Sequence, residues 1–273
     1  MSSIKYVLKL ILYKPLYNIL IFLVWLTPGH NIAWAIIVLT IIVRLILLPS
    51  SLKAVRQQKR MRDLQPEIQK LQAQYKDDKQ KQAQVLMEFY KKNQINPLGS
   101  CLPLLIQLPI LIILYYVFRA GLGEQRLDLL YNFTPHLDYI KTVFLGIDLA
   151  QPDKWILPII AGVLQYIQGR QIMPPTPKSA EKGQEMQNML SKQMLYLMPI
   201  FTVFIAGRLP AALPLYWIIT NLFSIVQQWW VFRDSGSAKL KTQSVKEKDI
   251  REDTKKINKK HGVEITVRKK GEK

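Results

Sequence analysis

The sequence predicts an all-α polytopic membrane protein with five transmembrane helices and a cytosolic helical hairpin. Its 273 residues are 49% hydrophobic, and yet the chain carries a formal net charge of +19. The apolar residues are concentrated in five runs, and a helix of about 20 residues spans the roughly 30 Å hydrocarbon core of a bilayer. The predicted spans are residues 30–50, 100–119, 154–173, 194–208 and 211–232, of which the fourth is short for a span.

Residues 1–29 are predicted to form an amphipathic helix that lies in the extracytosolic interface of the membrane. The uninterrupted apolar part of this segment, residues 19–26, is too short to cross a bilayer. Two alternatives remain open. A sixth span would place the N-terminal lysines in the cytosol, and a signal peptide would need a small-residue cleavage site, which does not follow the apolar run.

The first predicted span, residues 30–50, contains Arg44 within the stretch "LTIIVRLILLP". An arginine near the bilayer centre costs roughly 2.5–3.5 kcal/mol on insertion scales. Arg44 lies a few residues before the predicted end at Pro49, so its long side chain can reach the inner headgroups by snorkelling. The alternative is that Arg44 faces a cavity that water enters from the cytosol. Thr40, one turn earlier, shares its face of the helix.

Residues 51–95 are predicted to form a polar helical hairpin. Apolar residues recur at helical spacing in two arms, around Leu64 and Ile68 in the first and around Leu86 and Phe89 in the second. The sequence "KDDK" at 76–79 provides a polar turn between the arms, so that the two narrow stripes can cover each other. The hairpin is either a solvated spacer or a docking arm for a large partner.

Polar side chains recur at membrane depth in the later spans, among them Gln107 in the second and Asn221 in the fifth. Each of them taken alone fits a hydrogen bond between helices. No Asp or Glu lies in any of the five spans, so Arg44 has no intramembrane carboxylate partner. Because a buried cation without a partner is costly, water must reach Arg44, and an acidic group on a visiting substrate can pair with it.

The distribution of charge predicts the orientation. Residues 51–95 carry eleven Lys/Arg against five Asp/Glu, and residues 233–273 carry fourteen against seven, whereas residues 120–153 are more acidic than basic. Segments rich in Lys and Arg stay in the cytosol. Hence 120–153 is predicted to be an extracytosolic loop, 174–193 a cytosolic loop, and 233–273 a basic cytosolic tail, disordered when free.

Catalytic and metal-binding motifs are not found in the sequence. Cys101 is the only cysteine, and the three histidines are far apart, so we expect no metal and no cofactor. The sequence also has no nucleophile motif, no phosphate loop and no catalytic carboxylate pair, so we expect no enzyme. A channel or transporter remains open as an alternative, because such proteins also use intramembrane charges and broken helices.

Over roughly residues 13–233 the sequence resembles the YidC/Oxa-type membrane protein insertases, in a minimal five-helix form of the bacterial YidC type. The matching stretches are "TIIVR" (40–44), "LQPEIQKLQAQYKDDKQK" (64–81), "NPLGSCLPLLIQLPI" (96–110), "ILPIIAGV" (156–163), "LMPIFTVF" (197–204) and "LPLYWIITNLFSIVQQ" (213–228). The resemblance implies a five-helix core around a hydrophilic groove that is open to the cytosol and to lipid.

The resemblance also implies roles for individual residues. It makes Arg44 the arginine of the groove, and it implies that Thr40 and Trp217, with Tyr216 beside it, contact the substrate segment. Together with Gln107 and Asn221 these residues are the predicted substrate-binding groove. It further implies that the hairpin 51–95 is a mobile arm needed for insertion.

The expected partners are nascent membrane proteins, and the ribosome through the tail and the hairpin. Anionic lipids are a second expected partner of the basic tail, a Sec translocon is a possible further one, and DNA is not expected. The expected location is the bacterial cytoplasmic (inner) membrane, with the C-terminus in the cytosol.

Overall fold

The structure is a computed structural model that describes residues 9–94, 102–122, 126–173 and 182–233, with side chains described except at residues 9, 102–106, 182–192 and 194. The chain divides into two compact units, residues 1–229 and 230–273. Only residues 230–233 of the second unit are described. The predicted tail therefore lies almost wholly outside the described residues, as do residues 174–181 of the predicted loop 174–193.

Helices dominate the described ranges, which confirms the predicted all-α class at that level. Eight α-helices occur in these ranges: α1 Lys14–Leu26, α2 Ile32–Ile46, α3 Leu48–Gln74, α4 Lys79–Lys92, α5 Leu102–Leu122, α6 Ile156–Ile172, α7 Lys182–Ala206 and α8 Ala212–Arg233. A π-helical turn, Lys9–Tyr13, leads into α1. Between α5 and α6 a short antiparallel hairpin pairs β1 Val143–Phe144 with β2 Ile147–Asp148.

A sharp break at Leu47, which the apolar pattern does not predict, separates α2 from α3. The predicted first span runs to residue 50, whereas α2 ends at Ile46 and the two helices are bent by 69°. Pro49 explains the break, since it has no N–H and its ring clashes with the carbonyl four residues earlier. By length and composition, no single helix in the described ranges qualifies as a membrane span, and α2 and α3 qualify only together, as a bent pair.

Helices α3 and α4 form a hairpin that covers most of the predicted segment 51–95 and begins before it, at Leu48. Asp78 caps the start of α4 by accepting a hydrogen bond from the Lys81 backbone N–H at 2.9 Å. Gln82 of α4 donates to the Gln72 carbonyl of α3 at 2.6 Å, which ties the two arms together. Nearer the base, the Arg62 guanidinium donates to the carbonyl of Gln171 at 2.6 Å and so fixes α3 to the end of α6.

Helix α1 packs on α2 and α5, and its buried side consists of Tyr17, Asn18, Leu20, Ile21, Leu23 and Val24. Asn18 is 4% exposed and joins α1 to the segment after α5. Its amide donates to the Leu129 carbonyl at 2.8 Å, and its side-chain oxygen accepts from the Tyr131 N–H and the Thr134 hydroxyl, both at 2.7 Å. Asn18 stands directly before the uninterrupted apolar residues 19–26, and the structure makes it a buried hydrogen-bonding centre.

Replacing Asn18 by alanine should lower the free energy of unfolding by about 2 kcal/mol, because it removes several hydrogen bonds and leaves buried groups without partners. Thermal unfolding in detergent, followed by circular dichroism, measures this loss. Asn93→Ala is the matched control, because among the residues that the structure describes the Asn93 side chain donates to the nearby Phe89 carbonyl, at 2.9 Å, and joins no distant segment. Equal losses in the two variants would contradict the structural role of Asn18.

Helices α6 and α7 pack against each other over much of their length. The predicted fourth span begins at residue 194, but α7 begins at Lys182, so the helix extends well into the segment predicted as a loop. Gly162 of α6 lies against Pro199 and Val203 of α7, where a Cβ atom would come within 2.5 Å of the Val203 methyl carbon. The close approach of the two helices therefore depends on a glycine at this position.

Candidate functional site

Arg44 lies in the last turn of α2, just before the break at Leu47. Its guanidinium donates a hydrogen bond to the side-chain oxygen of Gln107 on α5, with 3.3 Å between the nitrogen and the oxygen. The Gln107 amide donates in turn to the hydroxyl of Tyr216 on α8. Three of the predicted groove residues, from three different helices, are thus brought together in one polar chain, Arg44–Gln107–Tyr216.

The environment of this chain is apolar on the side of Tyr216. Tyr216 is only 2% exposed, and its ring lies 6.3 Å from the ring of Phe118. By contrast, Arg44 is partly exposed, so the three hydrogen-bonded side chains lead from an accessible cation to a buried phenol. The Arg44–Gln107 distance is longer than the usual 2.7–3.2 Å of an N–H···O hydrogen bond, so this bond is weak.

Arg44 is bound to a neutral amide. Helices α2, α5, α6 and α8 contain no Asp or Glu, and among the described side chains Gln107 is the hydrogen-bond partner of Arg44. A guanidinium has several N–H donors in a fixed fork, and it binds carboxylates with shorter and stronger hydrogen bonds than it makes to neutral acceptors. The site is therefore able to take an acidic group in place of Gln107.

The other three predicted residues lie apart from this chain. Thr40 is 2% exposed, and its hydroxyl donates to the Ile36 carbonyl of its own helix at 2.6 Å. Asn221 donates to the Ala161 carbonyl at 3.2 Å and so links α8 to α6. Trp217 is partly buried and packs against the apolar core. The contact of Thr40 and Trp217 with a substrate stays a prediction.

A buried polar face of α8 extends the site. Thr220, Asn221, Ser224, Gln227 and Gln228 are all 9% exposed or less. Gln227 donates to the Ser51 hydroxyl near the start of α3, at 2.8 Å, a contact that the sequence does not predict. The side-chain oxygens of Thr220 and Gln228 are buried without a hydrogen-bond partner in the described part of the chain. The spacing of these residues in the sequence indicates a polar face, since all of them fall on one side of a helix.

Comparison with known proteins agrees with the predicted resemblance. The family model described as 60Kd inner membrane protein matches residues 24–239. A protein of Clostridium tetani named membrane protein insertase YidC is 41% identical over 200 residues, which cover 73% of this chain and 81% of the relative. A protein of the same name from Ectopseudomonas mendocina is 39% identical over 209 residues, 76% of this chain.

The chain spans about a third of the length of several of these relatives, 32% in the case of the Ectopseudomonas mendocina protein. The match to the Clostridium tetani protein extends over most of both chains. The resemblance predicted from the motifs is confirmed by these matches, and the description of the family refers to the inner membrane. The chain belongs to the 60Kd inner membrane protein family and is similar to proteins named membrane protein insertase YidC.

Proposed function

We propose that this protein inserts nascent membrane proteins into the bacterial cytoplasmic membrane and helps them to fold. The observation that carries the proposal is Arg44, a partly buried cation held by a weak bond to the neutral side chain of Gln107. A short acidic segment of a substrate replaces Gln107 as the partner of Arg44. The names of the relatives support this activity, since they are called membrane protein insertases.

Large apolar side chains are exposed in rows along several helices. The exposed rows are Trp34, Val38, Ile41 and Leu45 on α2; Leu108, Ile112 and Tyr116 on α5; Ile159, Ile160, Val163 and Ile167 on α6; Ile200, Phe201 and Phe204 on α7; and Leu222, Val226 and Trp229 on α8. Contiguous apolar surface of this kind suits contact with lipid. The polar residues of α8 are buried instead, which supports five spans around a hydrophilic groove.

Residues 1–29 are proposed to lie in the extracytosolic interface. Leu20 in the middle of α1 and Ile32 at the start of α2 both approach Gly121 near the end of α5, since a Cβ atom there would lie 3.0 and 3.4 Å from their side chains. The middle of α1 thus lies beside the end of α5 and the start of α2. This position supports the prediction that α1 lies in the interface. It argues against the alternative that α1 is a sixth span beside α2.

Insertion by this mechanism requires no nucleotide. In the groove an ion pair is stronger than in bulk water, and an effective dielectric constant of about 20 is the appropriate guide. The pair holds the leading segment while the apolar segment that follows it moves into lipid, a transfer worth roughly 25 cal/mol per Å² of apolar surface.

The hairpin 51–95 is proposed to be a mobile cytosolic arm that, with the tail 233–273, meets the ribosome. The tail also has the charge to bind anionic lipids, and its position in the cytosol follows from its basic residues. A Sec translocon is a further proposed partner. The ring of Tyr75 lies 5.7 Å from the Lys81 ammonium at the tip of the hairpin, where the surface is strongly polar.

Site-specific crosslinking tests the proposed groove. A photo-crosslinking residue placed at Thr40 or Trp217 should react with a stalled nascent membrane protein whose first apolar segment has just left the ribosome. The same residue at Trp229, exposed on α8, is the matched control and should react mainly with lipid. Equal yields at all three positions, or equal yields with a stalled soluble protein, would exclude the groove as the binding site.

Replacing Gln107 by glutamate tests the charge mechanism without a large change in shape. The new carboxylate lies beside Arg44 and pairs with it, so the free energy of unfolding should stay the same or rise. Insertion of substrates with acidic leading segments should nevertheless fall several-fold, because the internal carboxylate competes with the substrate. The measurement is protease protection of inserted substrate in proteoliposomes, and unchanged insertion would argue against pairing of Arg44 with the substrate.

A further inference from the structure

The short hairpin between α5 and α6, here called the outer hairpin (residues 143–148), has an unusual turn. Leu145 and Gly146 connect β1 to β2 and have φ angles of +50° and +81°. Two positive φ values are the mark of the type I′ turn, which strongly favours Asn-Gly or Asp-Gly. A leucine at the first position is strained, because its Cβ atom crowds the backbone in the left-handed region.

The side chain of Leu145 gains no packing in return for this strain. It is 86% exposed, and the neighbouring Val143 is 45% exposed. An asparagine would relieve the strain and would be better solvated in water. A strained, exposed leucine therefore indicates that the tip of the hairpin meets an apolar environment outside the protein.

Hydrogen bonds to backbone carbonyls fix the position of the outer hairpin on both sides. The Ile32 N–H at the start of α2 donates to the Lys141 carbonyl at 3.1 Å, and the Asn31 side chain donates to the Val143 carbonyl at 3.0 Å. On the other side the Ala212 N–H at the start of α8 donates to the Leu149 carbonyl at 3.1 Å. The tip is therefore held at a constant height relative to the first residues of two helices.

Trp34 relates the position of the hairpin tip to the membrane interface. It lies in the first turn of α2, is 48% exposed, and its ring lies edge-on to the ring of Phe144, with 5.6 Å between the centroids. Exposed tryptophans near the ends of membrane helices belong to the interfacial belt. Because Phe144 precedes Leu145 directly, the tip of the hairpin is at the same level as this belt residue.

We propose that the outer hairpin is a lipid-binding element whose Leu145 side chain inserts into the interface of the extracytosolic leaflet. The exposed apolar row that begins at Trp34 on α2 lies next to the hairpin, since the Trp34 ring contacts the partly buried Phe144, and this is why the occupant is lipid. This inference rests on the membrane arrangement given above, but it concerns a surface outside the groove.

Fluorescence quenching tests the inference in the full-length protein. In a Cys101→Ser background, Leu145→Cys carries an environment-sensitive nitrobenzoxadiazole label, and the protein is reconstituted into phosphatidylcholine vesicles with doxyl groups near the headgroup end of the acyl chain. The label at residue 145 should show blue-shifted emission and lose most of it to the doxyl lipid. Val226→Cys on α8 is the lipid-facing control, and Lys76→Cys in the hairpin turn is the aqueous control.

Three results would overturn the inference. Quenching at residue 226 but not at residue 145, with water-like emission at 145, would overturn it and leave the spanning arrangement intact. Blue-shifted but unquenched emission at 145 would indicate a protein partner instead of lipid. No quenching at either position would overturn both the inference and the proposed arrangement of the helices in the membrane.

A second variant separates lipid contact from folding. Leu145→Asn restores the side chain that the turn prefers, so the unfolding temperature in detergent should rise or stay the same. The same change should reduce the quenching of a label at Val143→Cys in vesicles, because the apolar anchor is lost. A fall in the unfolding temperature, with quenching retained, would mean that Leu145 supports the fold and does not bind lipid.

Discussion

Replacing Arg44 by alanine should lower the insertion of substrates with acidic leading segments about tenfold, which corresponds to a lost interaction of about 1.4 kcal/mol. The reason is that Arg44 is the cation in the hydrogen-bonded chain through Gln107 to Tyr216, and helices α2, α5, α6 and α8 contain no Asp or Glu that could pair with it. Protease protection in proteoliposomes, with the same substrate in acidic and neutral versions, measures the effect.

Two controls test whether the effect of Arg44→Ala comes from its charge. Arg44→Lys keeps the charge and loses the planar fork, so its loss of insertion should be smaller than that of Arg44→Ala. The neutral version of the substrate should be inserted at nearly the same rate by all three proteins. Equal insertion of the acidic substrate by the unchanged protein and Arg44→Ala would remove Arg44 from the mechanism.

Replacing Gly162 by alanine should destabilise the protein by about 2 kcal/mol, which lies within the range for overpacking. A Cβ atom at this position would lie 2.5 Å from the Val203 methyl carbon and 3.2 Å from the backbone oxygen of Pro199. The side chain of Val203 has little freedom, and the Pro199 oxygen belongs to the backbone of α7, so the two helices must separate. Thermal unfolding in detergent measures the loss.

Gly169 provides a matched control on the same helix and against the same partner helix. There a Cβ atom would lie 3.1 Å from a terminal methyl carbon of Leu195, which can rotate away. Gly169→Ala should therefore leave the stability unchanged or raise it by less than about 1 kcal/mol through its better helix propensity. If Gly162→Ala and Gly169→Ala had the same effect, the close approach of α6 and α7 at Gly162 would not matter for stability.

The location of the polar residues was predictable from the sequence because the signal is local. An arginine in an apolar run, and amides and hydroxyls on one side of α8, stand out against their neighbours in the chain. The hairpin was predictable for the same reason, since two helical stripes separated by "KDDK" define two arms and a turn. In each case the pattern extends over only a few helical turns.

The partners of those residues were not predictable, because they are distant in the sequence. Arg44 and Gln107 are 63 positions apart, and Gln107 and Tyr216 are 109 positions apart. Asn18 meets residues 111 to 116 positions away. Such contacts depend on how the helices cross and on which residues face each other. The spacing of residues along one helix predicts neither of these.

The sequence by itself determined the apolar runs, the helical class and the isolated cation at residue 44, since each follows from the composition and periodicity of one segment. Only the tertiary structure decided that Gln107 holds the cation, that α2 and α3 meet at 69°, and that Leu145 stands strained and exposed. The physical reason is that secondary structure and amphipathic faces arise from neighbours in the chain. Hydrogen-bond partners and exposure arise from the packing of separate helices and their connections.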